Sequence, residues 1–138
     1  MSVHCFTYGT LMCPDIMSAV SGCKVTGEPT TLAGFSRRAV RDEDYPGIRP
    51  DANASVEGVL YRDIDKGALA RLDAFEGEQY RRETVVVTLA GGGRITADTY
   101  VIKAEHADLL LPVDWDFDAF LAAGKARFQS RYLGFSRI

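Results

Sequence analysis

The sequence has 138 residues and a net charge of −3 at pH 7, with 46% hydrophobic and 25% charged residues. That is enough chain to bury a core, and one domain over 1–138 is expected. The acidic balance argues against a general nucleic-acid binder, which needs a basic face for phosphate, and no window approaches the roughly 20 apolar residues of a membrane-spanning helix.

Residues 3–8, "VHCFTY", alternate between two faces and predict a strand that Gly9 ends. Pro14 suits a first helical turn, so "PDIMSAV" predicts a short helix closed by Gly22. Residues 31–40 predict a second strand with an irregularity at Gly34. The stretch 41–54, "RDEDYPGIRPDANA", is rich in Pro, Gly, Asp and Asn and predicts a loop. A third strand is expected over 55–63. Asp65 then suits the N-cap of a helix "KGALARLDAF", with Leu69 and Leu72 on its apolar face. The β-branched run "RRETVVVTL", the turn "AGGG" and the return "RITADTYVI" predict a hairpin. From Asp116 to Leu133 an amphipathic helix is expected, carrying Phe117, Phe120, Leu121, Gly124 and Phe128 on one packing face. Strands interspersed with short helices give the α+β class, here a small, strongly curved mixed sheet or barrel flanked by helices.

Few residues point to metal or redox chemistry. Cys5, Cys13 and Cys23 make no close ligand pair, and their odd number fits a reduced compartment with buried thiols. His4 and His106 lie in no ligand motif. The opening residues lack a basic segment followed by a long apolar run, so a cytoplasmic location is expected. The arginines of "SRRAVRD" and "YRRE" read as a solvated strand edge, with an anion-facing rim as the alternative.

Two short stretches stand apart. "YGTLM", Tyr8 to Met12, is a strand end that turns toward a helix. Successive amides in such a turn can form a small anion-binding nest, although an ordinary strand-to-helix turn has the same pattern. "LDAFEGEQYRRETVVV", from Leu72, ends a helix at Glu76 and Gly77 and then starts a strand. A carboxylate at a helix C-terminus faces the negative end of the dipole.

These stretches, together with "YPGIRP" at 45–50 and "VEGVLY" at 56–61, resemble in order the motifs of the γ-glutamylcyclotransferase-like family, which includes the AIG2-like proteins and the γ-glutamylamine cyclotransferases. The resemblance implies a compact β-barrel with flanking helices. It also implies a reaction: a γ-glutamyl amide cyclises to 5-oxoproline and releases an amine or amino acid. Carried over, Tyr8, Gly9, Thr10 and Leu11 would line the γ-glutamyl pocket and Glu76 would be the catalytic acid/base.

The chemistry suits such residues. The γ-glutamyl group carries its own nucleophile, the α-amino group, so intramolecular geometry supplies much of the advantage. Proton handling is what remains, and one carboxylate between the two nitrogens can serve both. Burial and a helix C-terminus raise its pKa and make it the better base. Turn amides can hold the substrate carboxylate or the developing oxyanion. Tyr45, Tyr80 and Tyr100 are candidate pocket walls, or else ordinary packing residues with their hydroxyls at the surface. Asp73 and Glu78 are expected to be solvated. The leaving-group pocket is expected between the 41–54 stretch and the C-terminal helix. The reaction needs no cofactor, the expected partner is a small γ-glutamyl substrate, and the assembly is a monomer or weak homodimer. The alternative is a non-catalytic binding or regulatory module, because a fold hosts many functions.

Overall fold

The computed structural model describes residues 2–22 and 26–128. The alternating N-terminal stretch forms β1 (Ser2–Thr7), and both of its faces are covered. Phe6 points among Leu32, Ile48, Leu60, Val87 and Val101, whereas Cys5 packs with Ile16, Met17 and Leu72. A strand alternating between two hydrophobic environments is the expected result of a sheet that curves round its own core and carries helices outside.

After β1 come a single 3-10 turn (Thr10–Met12) and α1 (Pro14–Ser21), which begins on a proline and ends at Gly22 with φ +76°. Next are β2 (Gly27–Ala39), β3 (Pro46–Asp65) and α2 (Lys66–Glu76). The hairpin β4 (Tyr80–Leu89) and β5 (Arg94–Ile102) follows. Among the described residues the strands close in the order β1-β3-β2-β4-β5. Neighbours are antiparallel except β5 and β1, whose parallel contact, Cys5 beside Asp98, shuts the barrel. The α+β mixed barrel expected from sequence is the architecture found.

Local signals explain the helix ends. The Asp65 carboxylate accepts from the Ala68 amide at 2.8 Å, the predicted N-cap of α2. Gly77, at φ +76°, ends that helix and donates to Asp73 O at 3.2 Å. Ala68, Leu69 and Leu72 bury the inner face of α2 with Ile16, Met17 and Val20 of α1.

Two expectations need correction. Only residues 41–45 of the stretch 41–54 are a turn, because β3 already begins at Pro46 and runs beside β2 through Ala39↔Pro46, Arg37↔Ile48 and Phe35↔Pro50. Only then does the ladder break, with residues 51–54 bulging opposite Gly34 before pairing resumes at Ala33↔Ser55. The Pro and Gly residues that suggested a loop are accommodated because β1 pairs with β3 only over Val59–Asp65, leaving the first half of β3 with an edge on that side. The buried Ile48 anchors this arm in the barrel.

The C-terminal helix is also not one regular helix. α3 (Phe117–Ala119) passes into a π-helical turn (Phe120–Gly124) and then α4 (Lys125–Phe128). The wider turn shifts the helical register, so Phe120, Gly124 and Phe128 are buried while Leu121, placed by 3.6-residue periodicity on the packing face, is 46% exposed. Residues 129–133 of the expected helix, and Cys23, lie outside the described residues. Cys5 and Cys13 are buried free thiols.

Candidate active site

At one end of the barrel, the turn after β1 meets the C-terminus of α2. Thr7, Tyr8, Gly9, Thr10, Leu11, Tyr45, Pro46, Glu76 and Tyr100 line a narrow cavity of about 30 Å³. An adjoining cavity of about 90 Å³ shares Thr10, Tyr45 and Glu76 and adds Phe75, Tyr80 and Phe128. Tyr8, Gly9, Thr10, Leu11, Tyr45, Glu76, Tyr80 and Tyr100, the residues expected to form the pocket and the base, therefore each line one of these two cavities.

The turn is held through its carbonyls. Arg37 Nη1 donates to Tyr8 O at 2.9 Å, and Tyr61 Oη donates to Leu11 O at 2.9 Å. Met12 N donates to Gly9 O, and Cys13 N to Thr10 O. Pro46 packs so closely that a Cβ on Gly9 would stand 2.6 Å from its Cδ. Among the described residues, the amides of Gly9, Thr10 and Leu11 have no internal partner. With carbonyls tied to protein and amides unspent, the turn has the polarity of an anion site.

Glu76 is the last residue of α2 and is only partly accessible. Burial is the leading cause that pushes its carboxyl up from 4.5 to about 8, and the negative charge of Asp73 adds to it. The helix C-terminus acts in the same direction. Among the described residues no side chain or amide hydrogen-bonds the carboxylate, so nothing stabilises its charged form from within the protein. A buried acid left in that state has its capacity for a proton open to a ligand.

Asp73 is solvated, as expected, but it is also engaged. It accepts from Tyr100 Oη at 2.7 Å and from Arg82 Nη1 at 2.9 Å. It stands one helical turn before Glu76, and that i, i+3 spacing was a readable signal. Glu78 is exposed, as expected. The tyrosine hydroxyls are not loose at the surface. Tyr8 Oη donates to Tyr100 O at 2.6 Å, Tyr80 Oη to Pro46 O at 2.8 Å and Tyr45 Oη to Gln79 Oε1 at 3.2 Å. Burial also pushes the Tyr8, Tyr80 and Tyr100 phenols well above their ordinary range, so they remain neutral donors.

Arg37 and Tyr61 carried no sequence signal, since a guanidinium and a phenol serving distant carbonyls follow no local spacing. The arginine-rich stretches are neither a bare rim nor simply solvated. Arg37 pairs with Asp114 at 3.0 Å and lies 5.5 Å from the Trp115 ring centroid, while Arg82 bridges Asp73 and Asp98.

The sequence pattern of the family described as "Gamma-glutamyl cyclotransferase, AIG2-like" matches residues 5–117. AIG2-like protein C of Arabidopsis thaliana is 32% identical over 124 residues, which cover 89% of this chain and 72% of that protein. AIG2-like protein D of the same plant is 32% identical over 116 residues, 82% of this chain and 75% of that one. A solution structure of an Arabidopsis thaliana protein superposes with a TM-score of 0.72 at 25% identity, covering 93% of this chain and 86% of the other. A structure described as a gamma-glutamyl cyclotransferase gives 0.67 at 19% identity, covering 75% and 68%, a likeness of fold alone.

Proposed function

The chain belongs to the gamma-glutamyl cyclotransferase, AIG2-like family, and we propose from that premise that it cyclises a γ-glutamyl amine or γ-glutamyl amino acid to 5-oxoproline, with Glu76 as general acid/base. One observation carries this reading. A carboxyl with raised pKa and no protein partner shares a cavity with a turn whose amides are unspent.

In the proposed reaction the substrate carboxylate rests on the amides of Gly9, Thr10 and Leu11, which places the folded γ-glutamyl chain beside Glu76. The Glu76 carboxylate takes a proton from the α-ammonium. The freed nitrogen attacks the γ-carbonyl, and a C–N bond forms as the lactam ring closes. The tetrahedral intermediate collapses by breaking the amide C–N bond as Glu76 returns that proton to the departing nitrogen, and the freed carboxylate then passes the second proton of the ring nitrogen to the released amine. A zwitterionic γ-glutamyl alkylamide thus becomes the 5-oxoproline anion and an alkylammonium, without water or a redox partner. A base matched to neutral or mildly alkaline pH is what two successive transfers require. Burial of the carboxyl, with the Asp73 charge beside it, supplies that basicity.

The test is 5-oxoproline release from a panel of γ-glutamyl amides, comparing wild type with Glu76→Gln. Turnover by wild type should fall by about 10²–10⁴-fold in the variant. Equal turnover by both would remove Glu76 from the chemistry. Silence from both would overturn the enzymatic reading in favour of a binding module.

A further inference from the structure

The cavity adjoining the catalytic one continues from Glu76 and Thr10 into an aromatic compartment. Its further walls are Tyr45, Phe75, Tyr80 and Phe128. Phe75 and Phe128 meet edge to face at 5.8 Å and 73°, and Tyr45 and Tyr80 at 6.3 Å and 64°. Phe128 is buried at the end of the helical segment, held by Phe120 at 5.9 Å. The phenol protons of Tyr45 and Tyr80 are already donated to Gln79 and Pro46. The compartment therefore presents mainly ring faces and edges.

Its charge content is equally specific. Among the described lining residues the ionisable carboxyl is Glu76 and there is no cation. The nearby basic residues are engaged elsewhere, Lys125 with Asp15 at 3.0 Å and Arg127 with Asp44 at 2.8 Å. A leaving group that is itself an α-amino acid would bring a carboxylate against apolar rings beside Glu76, with no cation among the described lining residues to pair it. Burying an unpaired charge is among the costliest events in recognition. An apolar ring would instead gain edge-to-face contacts on several sides. The volume of about 90 Å³ is below the roughly 150 Å³ that encloses a whole benzene ring, so a ring would enter by one edge from the mouth.

We infer that this compartment is the leaving-group subsite and that it selects a γ-glutamyl amide whose amine carries an apolar, aromatic group and no carboxylate. The inference rests on the cyclotransferase reading above, because the compartment is reached through Glu76. In atoms, the product leaving through it is an arylalkyl amine that takes its proton from Glu76 as the amide bond breaks.

The experiment compares kcat/KM for γ-glutamyl benzylamide, γ-glutamyl alanine and γ-glutamyl-ε-lysine in wild type and in Phe75→Arg, with circular dichroism as the check on folding. Phe75 is half-buried, so an arginine head can reach solvent while supplying the missing cation. Wild type should favour the benzylamide by at least about tenfold, and Phe75→Arg should shrink or reverse that preference. Faster turnover of γ-glutamyl alanine or γ-glutamyl-ε-lysine by wild type, or an equal rate for all three, would overturn the inference while leaving the cyclotransferase reading intact. If no amide is turned over, that reading fails by itself. Titration with benzylamine and with alanine, followed by tyrosine ring signals in NMR, then decides the subsite. Saturable shifts from benzylamine alone support it, and their absence overturns it.

Discussion

Replacing Glu76 by Gln should make the protein more stable, increasingly so as pH rises. The carboxyl ordinarily titrates at 4.5 and here at about 8. Between those values the folded protein holds a proton that the unfolded chain has released, so folding is progressively opposed as pH increases. The neutral acid's stability is fully present below about pH 4.5 and is lost as pH passes through about 8. The interval from 4.5 to about 8, at ~1.36 kcal/mol per pKa unit, comes to about 5 kcal/mol. Water entering the cavity softens that figure, and a loss of roughly 2–4 kcal/mol between about pH 5 and pH 8.5 is expected. Glutamine fills the same space and does not titrate, so the variant escapes the loss. Other groups with shifted pKa, such as Asp15, whose bond from Lys125 opposes its burial and leaves it lowered, are common to both proteins and cancel in the difference. The assay is urea unfolding across that pH range, followed by the fluorescence of Trp115, the sole tryptophan, which is buried at the site's helical segment. The stability of Glu76→Gln relative to wild type should climb with pH. Parallel pH curves for the two proteins, or a wild type that gains on the variant as pH rises, would refute the argument that burial holds this carboxyl protonated.

Two further outcomes follow from the same geometry. With its carboxylate as base, wild-type kcat/KM should rise with pH through about 8. Asp73→Asn, which keeps an acceptor for Tyr100 and removes the nearby negative charge, should move that acid limb to lower pH; an unmoved limb in the pH–rate profile would count against Asp73 as a tuner of Glu76. Gly9→Ala puts a Cβ 2.6 Å from Pro46 Cδ and 2.7 Å from Cγ, closer than packed carbon atoms tolerate. It should lower stability by about 1–3 kcal/mol in denaturant titration and raise KM, because the amides of the turn are displaced together.

Much of this protein is written in short-range signals. Pro14 and Gly22 bound α1, Asp65 and Gly77 bound α2, and the glycine turn between two β-branched runs makes the β4–β5 hairpin. Each works within a few residues, where sterics and one or two hydrogen bonds decide the outcome. Glu76 and the turn at Tyr8–Leu11 were legible for the same reason: a chain terminus of a helix and a strand-end turn announce themselves locally. What the tertiary structure alone decided involves partners far apart in the chain. The 46–54 stretch has loop composition, yet pairing with β2 and the burial of Ile48 make most of it strand. Arg37 and Tyr61 grip the carbonyls of a turn that precedes them by tens of residues, leaving its amides for a ligand. Phe75 and Phe128 face each other only because the π turn carries the last helical segment round to the end of α2. The sequence by itself determined a carboxylate at a helix terminus and a strand-end turn, and only the family resemblance gave them a proposed role. Closure of the barrel determined that they share one cavity, because only the sum of many long-range contacts can repay the entropy of bringing distant segments together.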